Sequence, residues 1–370
     1  MNPFKYGQVV RAGDFCPRPQ LLREIRSFIA SGQNIVIQGE RRIGKTSLIH
    51  EAVRSVRRTR ILYVDLLEIK TADALCKRLA RAIIASENQD GFLERIFKKL
   101  SQLKPSVSVD TLTGQPTISF DPALRLQPDS IEGLLDVIAS IHKRKSVVVV
   151  FDEFQDILNL KDCREALALL RGKIQFQTNV PYIFAGSIRN EMDEIFNDPD
   201  SAFFKSAIPL TVGPIDRKRF GSFLQEKFAL GRRHIDPTAI ERLFEIAVDI
   251  SGDIQQLCEA LWETTSYKDQ ITEADIPEAM SLIFARESKG YESILVLLTG
   301  QQLRCLVGLA KLDGVTPQSK AFLQAVDIHL PGSVKKALNR TEKLKIIFQY
   351  QGKYRFVNPF FKAWLAYRDF

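Results

Sequence analysis

Gly39-Glu40-Arg41-Arg42-Ile43-Gly44-Lys45-Thr46 is the stretch on which the fold turns. It has the form G-x4-G-K-[ST]. The apolar segment Asn34–Gln38 before it reads as a short buried strand, and Thr46–Ser55 after it reads as a helix. Strand, glycine-bounded loop and helix together form the context in which this motif holds phosphate. The glycines let backbone N–H groups turn inward and form an anion nest. The helix start near Lys45 adds free N–H groups and the positive end of a dipole. Lys45 is expected to reach the β- and γ-phosphates of a nucleotide, and Thr46 to ligate Mg²⁺ through its hydroxyl. The candidate nucleotide-binding residues are therefore Gly39, Glu40, Arg41, Arg42, Ile43, Gly44, Lys45, Thr46 and Ser47. Arg41 and Arg42 face two readings, contact with phosphate or a neighbouring subunit, or a solvated loop. No NKxD guanine-reading motif occurs, so the expected ligand is ATP rather than GTP.

The second half of such a site is expected at Val147–Glu153, VVVVFDE. A fully apolar run is the signature of a strand in a parallel sheet covered on both faces. It carries Asp152 to the sheet edge, where its carboxylate is suited to the Mg²⁺ shell. Glu153 follows at once and is suited to act as general base toward an attacking water. The alternative for this pair is an acidic cap on the next helix. Another strand, Tyr182–Ala185, leads into Gly186-Ser187-Ile188-Arg189. Ser187 and Arg189 are candidates to touch the γ-phosphate or position the water. A helix N-cap at Ser187 with a surface Arg is the competing reading.

Around these motifs, apolar periodicity predicts helices at Pro19–Ala30, Thr71–Ser86, Glu94–Leu103, Ile131–Ile141 and Cys163–Thr178, and a strand at Ile61–Leu66. Pro105–Pro122 alternates about a Thr-Gly turn and reads as an inserted hairpin near 104–123. After Pro214 the pattern turns helical, at Asp216–Leu230, Pro237–Ile250 and Gly252–Ser266. Three more helices, Gln301–Lys311, Gln318–Val326 and Gly332–Lys343, precede two short strands, Lys345–Tyr350 and Lys353–Val357, and suggest a winged helix. The expected fold class is α/β: a P-loop parallel sheet sandwiched by helices, then an α-helical lid and a C-terminal winged-helix domain. The expected domains are 1–213, 214–290 and 291–370.

The net charge of +8 lies wholly in 298–370, which holds eight Lys, four Arg and four acidic residues. A basic terminal domain is an electrostatic footprint for nucleic acid. Lys335, Lys336 and Arg340 share one predicted helix, and Lys353 and Arg355 lie on the predicted wing, so double-stranded DNA is one expected partner. A protein partner or a homo-oligomer is the other. Five scattered cysteines without a CxxC pair and four distant histidines argue against a disulfide framework, a zinc site or a His-centred triad. No apolar run reaches the ~20 residues of a membrane helix, and Met1–Arg11 has no signal-peptide core, so a cytoplasmic protein is expected.

The chain resembles the archaeal-type ATPase family, in the STAND and origin-recognition-like branch of AAA+ P-loop ATPases. The resemblance rests on GQVVRAGDFCPRPQLL, GERRIGKTSLI, VVVVFDEFQDI, FAGSIRNEMDEIF, FFKSAIPLTVGPI and YRFVNPFFKAWL, which span nearly the whole length. It implies ATP-dependent switching between conformations, sometimes coupled to oligomerisation. It also implies that Phe15 and Arg18 lie near the adenine, and that Ser187 occupies a sensor-like position. Three positions depart from the family's pattern: Glu40 replaces Pro, Lys205 stands where many relatives have an arginine, and Gln255 where relatives often have Pro. A lysine is a point charge rather than a bidentate fork, so the expectation is a slow ATPase switch. The alternatives are an ATP-gated DNA-binding or loader protein, and a nucleotide-binding scaffold without turnover.

Overall fold

The computed structural model describes residues 2–56, 58–86, 105–109, 116–120, 130–187, 190–265, 268–312, 316–350 and 352–368. The predicted helix at Glu94–Leu103, the turn of the predicted hairpin and Arg189 lie outside them. Two compact units emerge: Val9–Gly213, and Met1–Gln8 together with Pro214–Phe370.

The first unit is built on five strands, β1 (Ile35–Gly39), β2 (Arg60–Asp65), β5 (Val147–Asp152), β6 (Tyr182–Ser187) and β7 (Ile208–Val212). They form one parallel sheet in the order β2-β5-β6-β1-β7. Helix α1 (Pro19–Ala30) precedes β1, and the crossover helices are α2 (Lys45–Arg54), α3 (Ala72–Ala85), α4 (Ser130–His142) and α5 (Cys163–Ile174). Side chains alternate across a strand. Accordingly Val147, Val149 and Phe151 of β5 join one core cluster, with Leu62, Val64, Leu79, Ile138 and Leu170. Val148 and Val150 point the other way and are equally buried. Covered faces on both sides explain why β5 reads as an unbroken apolar run. The predicted hairpin is present as an antiparallel pair, β3 (Pro105–Val109) and β4 (Pro116–Phe120).

An aromatic cluster fixes the C-terminal ends of β5 and β6. Phe151 stacks on Phe184 at 5.8 Å and 6°, and Phe154 lies 4.7 Å from Phe184. Phe196 and Phe203 close the cluster. Phe154 opens a 3-10 turn, Phe154–Asn159, which the periodicity did not signal. Nor did it signal α6 (Asn190–Phe196) or β7.

In the second unit α7 (Arg217–Ala229), α8 (Pro237–Ile246), α9 (Ser251–Thr264) and α10 (Ile276–Val296) follow in order. The N-terminal residues belong here. Phe4 is buried, 4.6 Å from the ring of Phe228 and 6.1 Å from Trp262. Asn2 Nδ2 donates to Glu259 O and to Glu263 Oε1. The winged helix consists of α11 (Gly300–Lys311), α12 (Lys320–Ala325) and α13 (Pro331–Lys343), the antiparallel wing β8 (Ile347–Tyr350) and β9 (Lys353–Phe356), and α14 (Pro359–Tyr367). Asn358 caps α14 by accepting from Phe360 N and Phe361 N at 2.8 and 3.1 Å. α14 then seats Phe361 and Trp364 against Tyr291 of α10, each 5.3 Å away. Among the described residues no helix is long and apolar enough to cross a membrane.

Candidate functional site

The loop after β1 is shaped by local backbone demands. A Cβ on Gly39 would lie 2.7 Å from Val212 O, so only glycine lets β7 approach. Gly44 sits at φ 94°, where L side chains are strained, and Arg42 at φ 63° is bent the same way. Gly44 offers no capping side chain, so the first N–H groups of α2 stay open to an anion. Ile43 is 1% exposed and packs inward, leaving its backbone to the loop. Arg41 is exposed, and Glu40, Arg42, Gly44 and Thr46 are half-buried.

Lys45 is buried and lies along the loop. Its Nζ donates to Gly39 O at 3.0 Å and Glu40 O at 3.1 Å. Thr46 Oγ1 donates to Asp152 Oδ2 at 2.8 Å. Residues 106 positions apart therefore meet. Asp152 is 5% exposed, and its other oxygen accepts from Glu153 N at 3.0 Å. Glu153 adopts φ 49°, a left-handed conformation that turns the chain sharply at the end of β5. Ser47 Oγ accepts from Val10 N at 3.1 Å.

Ser187 is the last residue of β6, 4% exposed, and its Cα is paired with that of Gly39 at the loop entrance. It thus stands beside the phosphate loop. Phe15 is buried. Arg18 is buried too, with its guanidinium on two backbone carbonyls, Ile43 O at 2.7 Å and Gly213 O. Burial lowers its pKa to about 10. Arg18 thus ties the loop to the last residue of its unit. Lys205 is exposed at φ 49°, its Nζ 5.1 Å from the Phe204 ring. Gln255 lies half-buried on α9, in the other unit.

Two participants escape sequence reasoning. Tyr63 of β2 donates its hydroxyl to Asp152 Oδ2, the oxygen that Thr46 also reaches. Burial, and then the neighbouring Asp152 charge, push the Tyr63 phenol above its ordinary value, so it stays a donor. Its ring lies 5.6 Å from that of His50, whose pKa is lowered by burial and by Arg11. The signal for Tyr63 was register alone: it pairs with Val150, two residues before Asp152. Gln155, two residues past Glu153, donates Nε2 to Glu153 Oε2 at 2.5 Å.

Thr46 Oγ1 and the Asp152 carboxylate are hard oxygen donors of the kind Mg²⁺ takes. Among the described residues no three His, Cys, Asp or Glu cluster as a metal cage. Two protein oxygens fit a Mg²⁺ whose shell is completed by phosphate and water, the usual habit of that ion.

Comparison with known proteins fits this geometry. A family model described as "AAA domain" matches residues 29–196, and one described as "Probable winged helix domain" matches residues 289–367. Among solved structures, the Walker-type ATPase of Pyrococcus abyssi is similar at a TM-score of 0.68 and 18% identity, covering 98% of this chain and 99% of that one. The Aeropyrum pernix ORC2 protein is similar at 0.56 and 14%, covering 98% and 96%. The Aeropyrum pernix ORC1 protein in complex with DNA is similar at 0.53 and 12%, covering 95% and 92%. No curated protein matches. With a phosphate loop on a five-stranded parallel sheet and a winged helix at its C-terminal end, the chain carries an AAA domain followed by a C-terminal winged-helix domain.

Proposed function

We propose that the protein binds ATP with Mg²⁺ at the loop Gly39–Thr46 and hydrolyses it slowly, as a switch between arrangements of its domains. The supporting observation is the meeting of Lys45, Thr46, Asp152 and Glu153 at the ends of β1 and β5. Loop N–H groups and Lys45 bind the phosphates. Thr46 and Asp152 hold Mg²⁺, which supplies charge neutralisation to the phosphate oxygens. Glu153 takes a proton from the attacking water as that water adds to the γ-phosphorus and the bond to the β–γ bridging oxygen breaks, yielding ADP and phosphate. Ser187, buried beside Gly39, is placed to sense the terminal phosphate. Arg189 is proposed on sequence grounds alone. Slow turnover follows from exposed Lys205, which offers no bidentate fork. Switching requires unequal nucleotide affinity for the two arrangements. Sensitive phosphate-release assays on the purified chain test the reading; a protein that binds ATP and never releases phosphate is instead a nucleotide-gated scaffold.

Tyr63→Phe removes one donor to Asp152 while Thr46 remains. Loss of about one hydrogen bond, ~1 kcal/mol net, is expected to raise the Mg²⁺ concentration needed for half-maximal ATP binding several-fold. Affinity measured in chelator should not move. An unchanged Mg²⁺ requirement in nucleotide titrations would remove Tyr63 from the account.

A second reading, ATP-gated binding of double-stranded DNA, draws on the winged helix. Lys335, Lys336, Arg340 and Lys343 of α13, with Gln301 and Gln302 of α11, line a groove of about 660 Å³. On the wing Arg355 lies over the Tyr350 ring at 4.5 Å, and Lys353 is exposed. The DNA complex of the ORC1 protein, a protein of similar fold, supports the same reading. If three of these cations neutralise phosphates, changing Lys335, Lys336 and Arg340 together to Ala should lower the slope of log affinity against log salt by roughly 3. Fluorescence anisotropy with duplex DNA at several salt concentrations measures this. No binding by the wild type at low salt, with or without ATP, would leave the winged helix as a protein-docking module.

A further inference from the structure

Gln155 is 7% exposed, yet only half of its amide is satisfied. Nε2 donates to Glu153 Oε2 at 2.5 Å, while Oε1 is buried without a hydrogen-bond partner. A buried acceptor left unpaired is unfavourable. Turning the amide over is worse, because it sets Oε1 against the carboxylate oxygen of Glu153, two acceptors face to face. The charge-assisted bond to Glu153 therefore decides how the amide lies.

The amide also touches the other strand of the site. A Cβ on Gly186 would fall 2.5 Å from Gln155 Oε1 and 2.6 Å from Met192 Sδ. Gly186 precedes Ser187, and Ser187 is paired with Gly39 of the phosphate loop. Gln155 is thus wedged between the turn that carries Glu153 and the strand end beside the loop. Its backbone cannot drift, since Phe154 is fully buried in the aromatic cluster. Glu153 itself is half-buried at φ 49°.

We propose that Gln155 is a positioning residue for Glu153. Its amide holds Oε2 beside the end of β6, so that the other carboxylate oxygen faces the water attacking the terminal phosphate. This rests on the hydrolytic reading above.

Two full-length variants test it. Gln155→Met keeps the length and removes the amide; Gln155→Asn keeps the amide but withdraws it by one methylene. Turnover, KM, ADP affinity, affinity for ADP with aluminium fluoride and Mg²⁺, and thermal midpoint are measured on each. Misplacement of a general base lowers kcat by roughly ten- to hundredfold, with KM and ADP affinity unchanged. The extra affinity for ADP–aluminium fluoride over ADP should fall by a similar factor. The midpoint of Gln155→Met should not drop, because the substitution also removes an unpaired buried oxygen. Unchanged or faster turnover, or equal losses in ADP and ADP–aluminium fluoride affinity, would overturn the proposal. If the wild type shows no turnover at all, the hydrolytic reading fails separately. The Gln155 assignment is then judged on the fluoride complex, and an unaltered preference for it refutes the assignment.

Discussion

Lys45→Ala is expected to lower ATP affinity about a hundredfold or more. Lys45 is 6% exposed, and its Nζ donates to the carbonyls of Gly39 and Glu40. The charge is therefore held along the loop, pre-aimed at whatever anion the N–H groups receive. Hydrogen bonds to charged groups contribute roughly 1.5–3 kcal/mol each. Losing one or two such contacts to phosphate corresponds to a factor of about ten per 1.4 kcal/mol. The variant also removes the ammonium that bridges the Gly39 and Glu40 carbonyls, which loosens the nest itself. Titration with a fluorescent ATP analogue in Mg²⁺ reads the affinity directly. A thermal melt gives a second readout: ligand at a hundred times its Kd stabilises the wild type by about 2.7 kcal/mol, and the variant should show almost none of it. Equal affinity in the two proteins would refute the nucleotide site at this loop.

Glu153→Gln is expected to act oppositely, keeping binding and losing turnover. The substitution preserves shape, and Gln meets the left-handed φ of 49° on the same terms as Glu. The amide oxygen of the new residue can still accept from Gln155 Nε2, so the local geometry survives. What disappears is a group able to take a proton from water. General-base catalysis is worth roughly 10²–10⁴ in rate, and turnover should fall within that range. Stopped-time phosphate release together with nucleotide titration separates the two effects. Turnover within twofold of the wild type would remove Glu153 from the base role. A parallel loss of ATP affinity would mean that its carboxylate binds rather than activates.

Much of this site was legible in the sequence because its parts are encoded locally. The loop needs glycine at Gly39, where β7 passes at close range, and at Gly44, where φ is 94°. Asp152 and Glu153 end the run Val147–Asp152, buried along its whole length, so its apolar unbroken pattern marks the strand by itself. Helix α1 spans Pro19–Ala30 as its periodicity predicts, begun by proline at its first position. The wing likewise follows alternation on either side of Gly352, at φ 75°.

Other parts had no local code. Strand β7, IPLTV, contains Pro209, which lacks an amide hydrogen and argues against a central strand. It forms because it lies at the sheet edge, where only β1 must be paired. The long helix α10 carries the polar stretch Arg286–Ser293 with Gly290 inside it. It is held by Tyr291 packing on Phe361 and Trp364, some seventy residues later in the chain. Arg18 ends on the carbonyls of Ile43 and Gly213, partners that no pattern around residue 18 names.

By itself, then, the sequence determined the phosphate loop, the acidic pair and those strands and helices whose apolar period is unbroken. Those features depend on backbone conformations and apolar periods within a few residues. Only the tertiary structure decided that Tyr63 and Thr46 share one oxygen of Asp152, and that Gln155 donates to Glu153 while lying against Gly186. Such contacts are set by strand register and by the close packing of distant side chains, which a local pattern does not carry.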